Sequence, residues 1–245
     1  MPPRLFIDEP IAAPCTLALP ERAARHVQVL RLQPGDALTI FDGRGGEWSA
    51  QVAAMEKRGA QVHVLEHKLR ECELPIAVTL ALGVPANDRM DALVEKATEL
   101  GVAAIMPLLT ERSVLRLGGE RAQRRQAHWQ AIAMAACEQC GRNRVPTIHA
   151  VQPLAAWLAS LPAAIAETRL VLGWRDAQPW HEAAAQIGAA LTLLSGPEGG
   201  LGDAEEDLAR ARGFAPATLG ARVLRADTAP LAALAAIALS ARPRA

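Results

Sequence analysis

The sequence predicts an α/β protein in two parts, a small β-rich unit over residues 1–70 and a larger unit over 71–245 built on a mostly parallel sheet. Two observations lead there. Up to Leu65 the apolar residues fall in short strand-length runs separated by turn residues. After Pro75 continuous apolar runs alternate with stretches whose apolar residues recur at helical spacing, the pattern of a parallel sheet covered by helices. The chain is 51% hydrophobic over 245 residues, enough for a sizeable buried core and too apolar for disorder.

In the first part, Arg4 to Ile7 reads as a short strand. Glu21 to Leu30 carries Ala24, Val27 and Leu30 on one helical stripe, and Pro34-Gly35-Asp36 makes a turn. Strands follow over Ala37–Phe41, Glu47–Ala53 and Ala60–Leu65, the first two joined by the hairpin loop Asp42 to Gly46. The charged run His67 to Glu73, ended by Pro75, is a linker.

In the second part, Ile76 to Leu82 is a buried strand. Asn87 or Asp88 can cap a helix with the stripe Met90, Leu93, Val94, Ala97 and Leu100, closed by Gly101. Val102–Leu108 is the next strand and Glu120–Cys140 a long Ala-rich helix. Further strands are expected at Arg169–Leu172, Ala190–Leu194 and near Ala217-Thr218, and helices over Glu205–Arg212 and Thr228–Ser240. The last helix is apolar on every side, so it needs cover all round.

Composition excludes some functions. Lys plus Arg and Asp plus Glu both count 26, so net charge steers nothing. Charge is nevertheless sorted locally: Arg112, Arg116, Arg121, Arg124, Arg125, Arg142 and Arg144 outnumber Glu111, Glu120 and Glu138 between Thr110 and Arg144. Such a run is usually a solvated helix face, yet the bunching of Arg121, Arg124 and Arg125 in one turn favours contact with RNA phosphates. With five Trp, three Phe and no Tyr, binding of nucleic acid by rows of stacked rings is not expected, and Trp48 and Phe41 read as core. The four cysteines, Cys15, Cys72, Cys137 and Cys140, are too scattered for a disulfide framework. The pair Cys137 and Cys140 has no second pair to complete a zinc site and lies at a helix end, so no metal is expected. Neither a signal peptide nor an apolar run long enough for a bilayer is evident, which predicts a cytoplasmic protein with no membrane partner.

The chemistry concentrates in three Gly-bearing loops at strand ends: Leu172-Gly173; Gly196-Pro197-Glu198-Gly199-Gly200; and Leu219-Gly220-Ala221-Arg222-Val223-Leu224-Arg225. Ligands of open α/β sheets bind at the carboxyl ends of strands, where glycines let the backbone approach. Three such loops point to one pocket, although the 196–200 loop alone could be a structural turn. Neither G-x-G-x-x-G nor a P-loop is present, and Glu198 with Asp203, Glu205, Glu206 and Asp207 beyond it would repel a pyrophosphate. A phosphate-free adenosyl ligand carrying a positive sulfonium suits the loop better.

These residues carry a resemblance. Gly196-Pro197-Glu198-Gly199-Gly200 and Leu219-Gly220-x-Arg222-Val223-Leu224-Arg225-x-Asp227-Thr228-Ala229 resemble the signature of the SPOUT methyltransferases, above all the ribosomal small-subunit methyltransferase E family. Arg89-Met90-Asp91, Lys96 to Val102, Glu111 to Val114 and Glu138-Gln139-x-Gly141-Arg142-x-x-Val145-Pro146 agree with it. The stretches Val29 to Asp36 and Phe41 to Gly43 resemble that family's PUA-like RNA-binding domain. The resemblance implies a trefoil-knotted C-terminal domain, a small N-terminal PUA-like β-barrel and a homodimer. It implies S-adenosylmethionine held by Leu172, Gly173, Gly196 to Gly200, Leu219, Gly220, Arg222, Val223 and Leu224. The implied reaction is methylation of N3 of a uridine in 16S ribosomal RNA, with the small subunit or its RNA as partner.

For catalysis, Arg142 and Arg225 are expected to stabilise developing negative charge, with Glu138 or Glu198 as proton acceptor. Arg112, Arg121, Arg124, Arg125, Arg144 and Arg31 are expected on RNA. The chain departs from the family at three places: Ala86-Asn87-Asp88 lacks a usual lysine, Gly202 replaces a Ser or Thr cap so that Asp203 is the expected substitute, and Asp227 replaces Glu. The alternative reading is a catalytically silent RNA-binding or ribosome-assembly module, which would have no need of intact cofactor loops.

Overall fold

A computed structural model describes residues 2–57, 59–86, 89–115, 117–162 and 167–240. The expected helix cap at Asn87 or Asp88, and Arg116, lie outside these residues. The chain divides into two compact units, one of Met1–Glu73 with Met134–Val145, the other of Leu74–Ala133 with Pro146–Ala245.

The first unit comprises β1 (Arg4–Phe6), β2 (Cys15–Ala18), α1 (Glu21–Val29), β3 (Ala37–Phe41), β4 (Glu47–Glu56) and β5 (Gly59–Lys68). The strands form one sheet in the order β1-β3-β4-β5-β2, antiparallel apart from the β1–β3 pair. Strand alternation sends Leu38, Ile40, Trp48, Ala50, Val52, Ala60, Val62 and Val64 into a core that α1 covers with Ala23, Ala24 and Val27. Trp48 and Phe41 are both buried. β4 and β5 run longer than their hydrophobic pattern indicates and β5 absorbs the start of the charged stretch, because paired backbone continues past the last buried position. Arg31, at φ 57°, takes the left-handed position that closes α1, and the next amide, Leu32 N, reaches back to Val27 O at 3.1 Å.

Buried polar groups knit the two segments of this unit. Arg4, 6% exposed, donates to Glu47 Oε2 at 2.5 Å, to Asn143 Oδ1 at 2.6 Å and to the Arg142 carbonyl at 3.3 Å. Asn143 in turn donates from Nδ2 to the Arg70 carbonyl at 2.6 Å.

The second unit comprises β6 (Ala77–Gly83), α2 (Arg89–Glu99), β7 (Ala104–Leu109), α3 (Gly119–Cys140), β8 (Thr147–Ile148), β9 (Gln152–Pro153), α4 (Leu154–Ser160), β10 (Glu167–Leu172), β11 (Gln178–Pro179), α5 (Trp180–Ala184), β12 (Ala190–Ser195), α6 (Asp203–Ala211), β13 (Ala215–Thr218) and α7 (Thr228–Ser240). The last turns of α3, from Met134, count with the first unit. The sheet runs β11-β13-β10-β12-β6-β7-β8, with β9 also on β7, and every pairing is parallel. Its central strands are buried on both faces, which is why they read as unbroken apolar runs. One face packs Ala81, Leu108, Val171 and Leu194 against Leu154, Trp157, Leu158 and Phe214. Between α2 and α3, Asp91 accepts from Trp129 Nε1 at 3.0 Å and stands 2.7 Å from His128 Nε2.

α7 buries Pro230, Ala233, Leu234 and Ile237, while Leu239 is exposed. No helix among the described residues is long and apolar enough to cross a membrane.

Candidate functional site

Strand order alone assembles the site. β12, β10 and β13 are parallel and adjacent, with β6 on the other side of β12, so the loops leaving their carboxyl ends emerge along one edge. Those are the three loops singled out from the sequence, and they enclose a cavity of about 630 Å3. Its walls include Leu172, Gly173, Gly196 to Leu201, Leu219 and Arg222 to Arg225. Gly220 is not a wall residue; at φ 106° it supplies the turn between Leu219 and Arg222. Sequence reasoning missed Arg89, Trp174 and Arg175, which also face the cavity, as do Asp203 and Glu206 of the acidic stretch. Arg89 stands in a quoted stretch and could have been found; Trp174 and Arg175 follow Gly173 directly, with no pattern of their own.

The 196–200 loop is held by close backbone approach. A Cβ on Gly196 would lie 2.7 Å from the Gly200 carbonyl carbon and from Leu201 N, so only glycine fits. Gly200 has φ 71° and its amide closes a turn onto the Pro197 carbonyl at 2.8 Å. Gly83, at the end of β6, admits the loop from beside: a Cβ there would meet Pro197 Cδ at 2.5 Å. Glu198 accepts from Ala86 N at 3.0 Å and from Arg89 Nη1 at 3.1 Å, so this carboxylate fastens the loop to the start of α2.

Arg112 binds the same loop from outside, Nη1 donating to the Gly199 carbonyl at 2.8 Å and the Leu201 carbonyl at 3.2 Å. Arg112, expected on RNA, thus spends Nη1 on the backbone of this loop.

α6 begins at Asp203, its first helical residue, so Asp203 is not the substitute cap that the sequence suggested. Glu205 serves instead, accepting from Gly202 N at 3.0 Å with Oε2 and from Glu111 N at 2.8 Å with Oε1. A Cβ on Gly202 would stand 2.7 Å from Glu111 Oε2, so a Ser or Thr here would require that carboxylate to shift. At α7, Asp227 precedes the helix with its Oδ1 buried and no partner among the described residues.

Charge in the cavity is mixed. Arg175 lies 3.3 Å from Glu206 Oε2 and pairs with Asp207, whose carboxylate raises the guanidinium further above its already high value. Arg222 and Arg225 are exposed and have no side-chain partner among the described residues. Arg89, Arg175, Arg222 and Arg225 line the cavity beside the carboxylates Glu198, Asp203 and Glu206, which suits a ligand carrying both signs of charge. Leu201, 7% exposed, has an amide N–H with no partner among the described residues, and the Gly200 carbonyl before it has none either. Both residues line the cavity, so the loop offers this donor and this acceptor to an occupant. An adenosyl ligand bearing an ammonium and a sulfonium fits these groups.

Arg142 and Glu138, expected at the reacting base, belong to the first unit and serve its internal contacts. Arg142, 3% exposed, donates from Nε to Glu73 Oε1 at 3.0 Å and from Nη2 to Glu73 Oε2 at 2.5 Å. Glu138 accepts from Phe6 N at 2.9 Å and from Arg22 Nη2 at 3.1 Å. Of the four catalytic expectations, the cavity gathers Arg225 and Glu198.

Of the expected RNA contacts, Arg121 and Arg124 are exposed on α3 and Arg125 is half-buried. Arg144 is exposed beside Glu71, and Arg31 is exposed after α1. Burial pushes the Cys137 thiol up to about 12, which keeps it protonated at neutral pH. No cluster of metal-ligating side chains occurs among the described residues.

Comparison with known proteins places this geometry. Residues 72–238 match the family described as RNA methyltransferase domain, and residues 19–65 match RNA methyltransferase PUA domain. Ribosomal RNA small subunit methyltransferase E of Synechocystis sp. is 36% identical over 96% of this chain and 76% of its own length. The protein of that name from Bacillus subtilis is 31% identical over 96% of this chain and 95% of its own. Among solved structures, ribosomal RNA small subunit methyltransferase E from Neisseria gonorrhoeae bound to S-adenosyl methionine superposes with a TM-score of 0.91 at 38% identity, covering 97% of each chain. A putative methyltransferase from Legionella pneumophila, in complex with the bound cofactor, gives 0.90 at 32% identity over 98% of each chain. A parallel-sheet RNA methyltransferase domain with a PUA-like domain before it, expected from the motifs, is therefore the fold of this chain.

Proposed function

Because the chain belongs to the ribosomal RNA small subunit methyltransferase E family, we propose that it transfers a methyl group from S-adenosylmethionine to N3 of a uridine in small-subunit ribosomal RNA, 16S in bacteria. The observation that carries this reading is the cavity at the β10, β12 and β13 ends: it is glycine-built, presents the Gly200 carbonyl and the Leu201 amide without partners among the described residues, and is lined by carboxylates as well as guanidiniums.

The sulfonium of the bound cofactor supplies an already activated methyl group. What remains for the protein is to position both reactants, exclude water and help the N3 proton leave. The Gly200 carbonyl and the Leu201 amide are suited to fix the cofactor. Arg225, exposed at the cavity wall without a side-chain partner among the described residues, is suited to the negative charge that spreads over the uracil carbonyls as N3 loses its proton. Glu198 holds Arg89 and the Ala86 amide, so its first task is loop geometry, and proton acceptance requires release of Arg89.

RNA contact is assigned to Arg121, Arg124, Arg125, Arg144 and Arg31. A homodimer is assigned because the apolar α7 leaves Leu239 exposed and needs cover. The cytoplasm is assigned as its place of action.

The test has two arms. Titration calorimetry with S-adenosylmethionine should give saturable one-to-one binding per chain. Mass spectrometry of ribosomal RNA from cells lacking the protein should show one N3-methyluridine missing. An unchanged set of modified uridines overturns the assignment.

A further inference from the structure

We infer that Arg112 is a positioning residue for the cofactor, acting through the backbone of the 199–202 segment. The inference deepens the proposed function and rests on it.

Two peptide groups of this segment are held at both ends. In the 199–200 peptide, the carbonyl accepts from Arg112 Nη1 at 2.8 Å and the amide donates to the Pro197 carbonyl at 2.8 Å. In the 201–202 peptide, the carbonyl accepts from the same Nη1 at 3.2 Å and the amide donates to Glu205 Oε2 at 3.0 Å. The peptide between them, Gly200 C=O with Leu201 N–H, is the one without partners among the described residues, and both its residues line the cavity. Fixing the flanking peptides fixes the plane of the middle one, because each residue contributes only two soft dihedrals. Glycine at 199, 200 and 202 would otherwise leave this plane loose.

The preceding residue adds a second tie, Glu111 N to Glu205 Oε1 at 2.8 Å, so adjacent residues after β7 grip the loop and the start of α6 at separate points. The packing is close as well: a Cβ on Gly199 would lie 3.1 Å from Arg112 Cβ. Preorganised donors and acceptors bind more tightly than ones that must first be ordered. Arg112 therefore raises cofactor affinity without touching the cofactor.

The experiment compares wild type, Arg112→Ala and Arg112→Lys by three measurements: S-adenosylmethionine affinity by calorimetry, RNA affinity over a salt series, and urea unfolding. Wild-type cofactor binding tests the proposed function; the variants test this inference. Arg112→Ala should weaken cofactor affinity about tenfold or more, the scale of one charge-assisted hydrogen bond. Arg112→Lys should recover part of that affinity, since an ammonium can still meet one carbonyl. Both variants should keep the wild-type salt slope for RNA. Cofactor affinity of folded Arg112→Ala within twofold of wild type overturns the inference. So does a salt slope reduced by about one unit at unchanged cofactor affinity, which would make Arg112 a phosphate contact. If Arg112→Ala does not fold, Arg112→Lys decides alone: a threefold or greater loss of cofactor affinity with an unchanged salt slope supports the inference, and unchanged affinity overturns it.

Discussion

Arg142 and Glu73 form a two-point ion pair with the guanidinium 3% exposed, Nε to Oε1 at 3.0 Å and Nη2 to Oε2 at 2.5 Å. A charge so enclosed is costly to strand. Arg142→Ala should destabilise the protein by about 3–5 kcal/mol, the usual cost of removing one partner of a buried pair. Single-turnover methylation per folded molecule, at saturating RNA, should stay within about twofold of wild type. Urea unfolding and rapid-quench assays check the two halves. A folded variant slowed a hundredfold would return Arg142 to the reacting base.

The loop glycines should separate by mechanism. Gly196→Ala places a Cβ 2.7 Å from backbone atoms of Gly200 and Leu201, so the loop must open and cofactor affinity should fall more than tenfold. At Gly200 nothing lies within 4 Å of the added Cβ, and the penalty is the left-handed backbone at φ 71°, about 1–2 kcal/mol of stability. Calorimetry should therefore rank Gly196→Ala as the weaker binder, while thermal unfolding registers Gly200→Ala chiefly as a loss of stability. Equal reductions of cofactor affinity would mean that crowding at Gly196 is not what shapes the loop.

On α3, Arg121 and Arg124 are exposed, and the nearest carboxylate to Arg124 is Glu120 at 3.7 Å. A pair this open contributes little, so these arginines remain available to phosphates. Replacing Arg121, Arg124 and Arg125 together with Ala should weaken RNA binding uniformly across sequences. The salt slope should flatten by about one unit for each phosphate no longer neutralised. Cofactor affinity should not change. An undiminished slope would make the cluster a solvated face.

Glu47 gives the first unit a pH dependence. Burial works to raise its carboxyl pKa, but hydrogen bonds and charge from Arg4 and then Arg70 outweigh that and hold it below the ordinary value of 4.5. A depressed folded-state pKa contributes stability above the unfolded value and loses it as pH falls through the folded one. Glu47→Gln should therefore cost about 1–3 kcal/mol at pH 7. The difference from wild type should shrink progressively below about pH 4.5, the ordinary carboxyl value. Urea midpoints from pH 7 to pH 3 measure it; a gap independent of pH would refute the ionic contribution.

The three cofactor loops are legible in the sequence because a run such as Leu191 to Leu194 ending in Gly196-Pro197 combines two unambiguous signals, a doubly buried strand and its abrupt end. Short elements escape such reading. β8, β9 and β11 have two residues each, too few to display a period, and α5 has five. β2 alternates half-buried and exposed residues from Cys15 to Ala18, a pattern hidden by its weakly apolar composition.

The site is legible in its backbone and less so in its charges. Which carboxylate an arginine meets depends on partners distant in sequence: Arg142 on Glu73, Arg112 on the loop 87 residues away, Glu198 on Ala86 and Arg89. Local density marks Arg112, Arg142 and the α3 arginines as one basic stretch. The fold divides them into a loop brace, an internal ion pair and an open helix face.

The return of Met134–Val145 to the first unit has a consequence for how such a protein can be taken apart or recombined. A gene fragment cut after residue 73 encodes Arg4 without Asn143, Glu73 without Arg142 and the Phe6 amide without Glu138. The first unit is thus not a cassette that can be appended to another enzyme by joining ends. A fragment spanning 1–73 alone inherits three stranded polar groups, and recombination that preserves the unit must carry residues from the middle of the chain with it. The two units are in this sense written into each other's sequence.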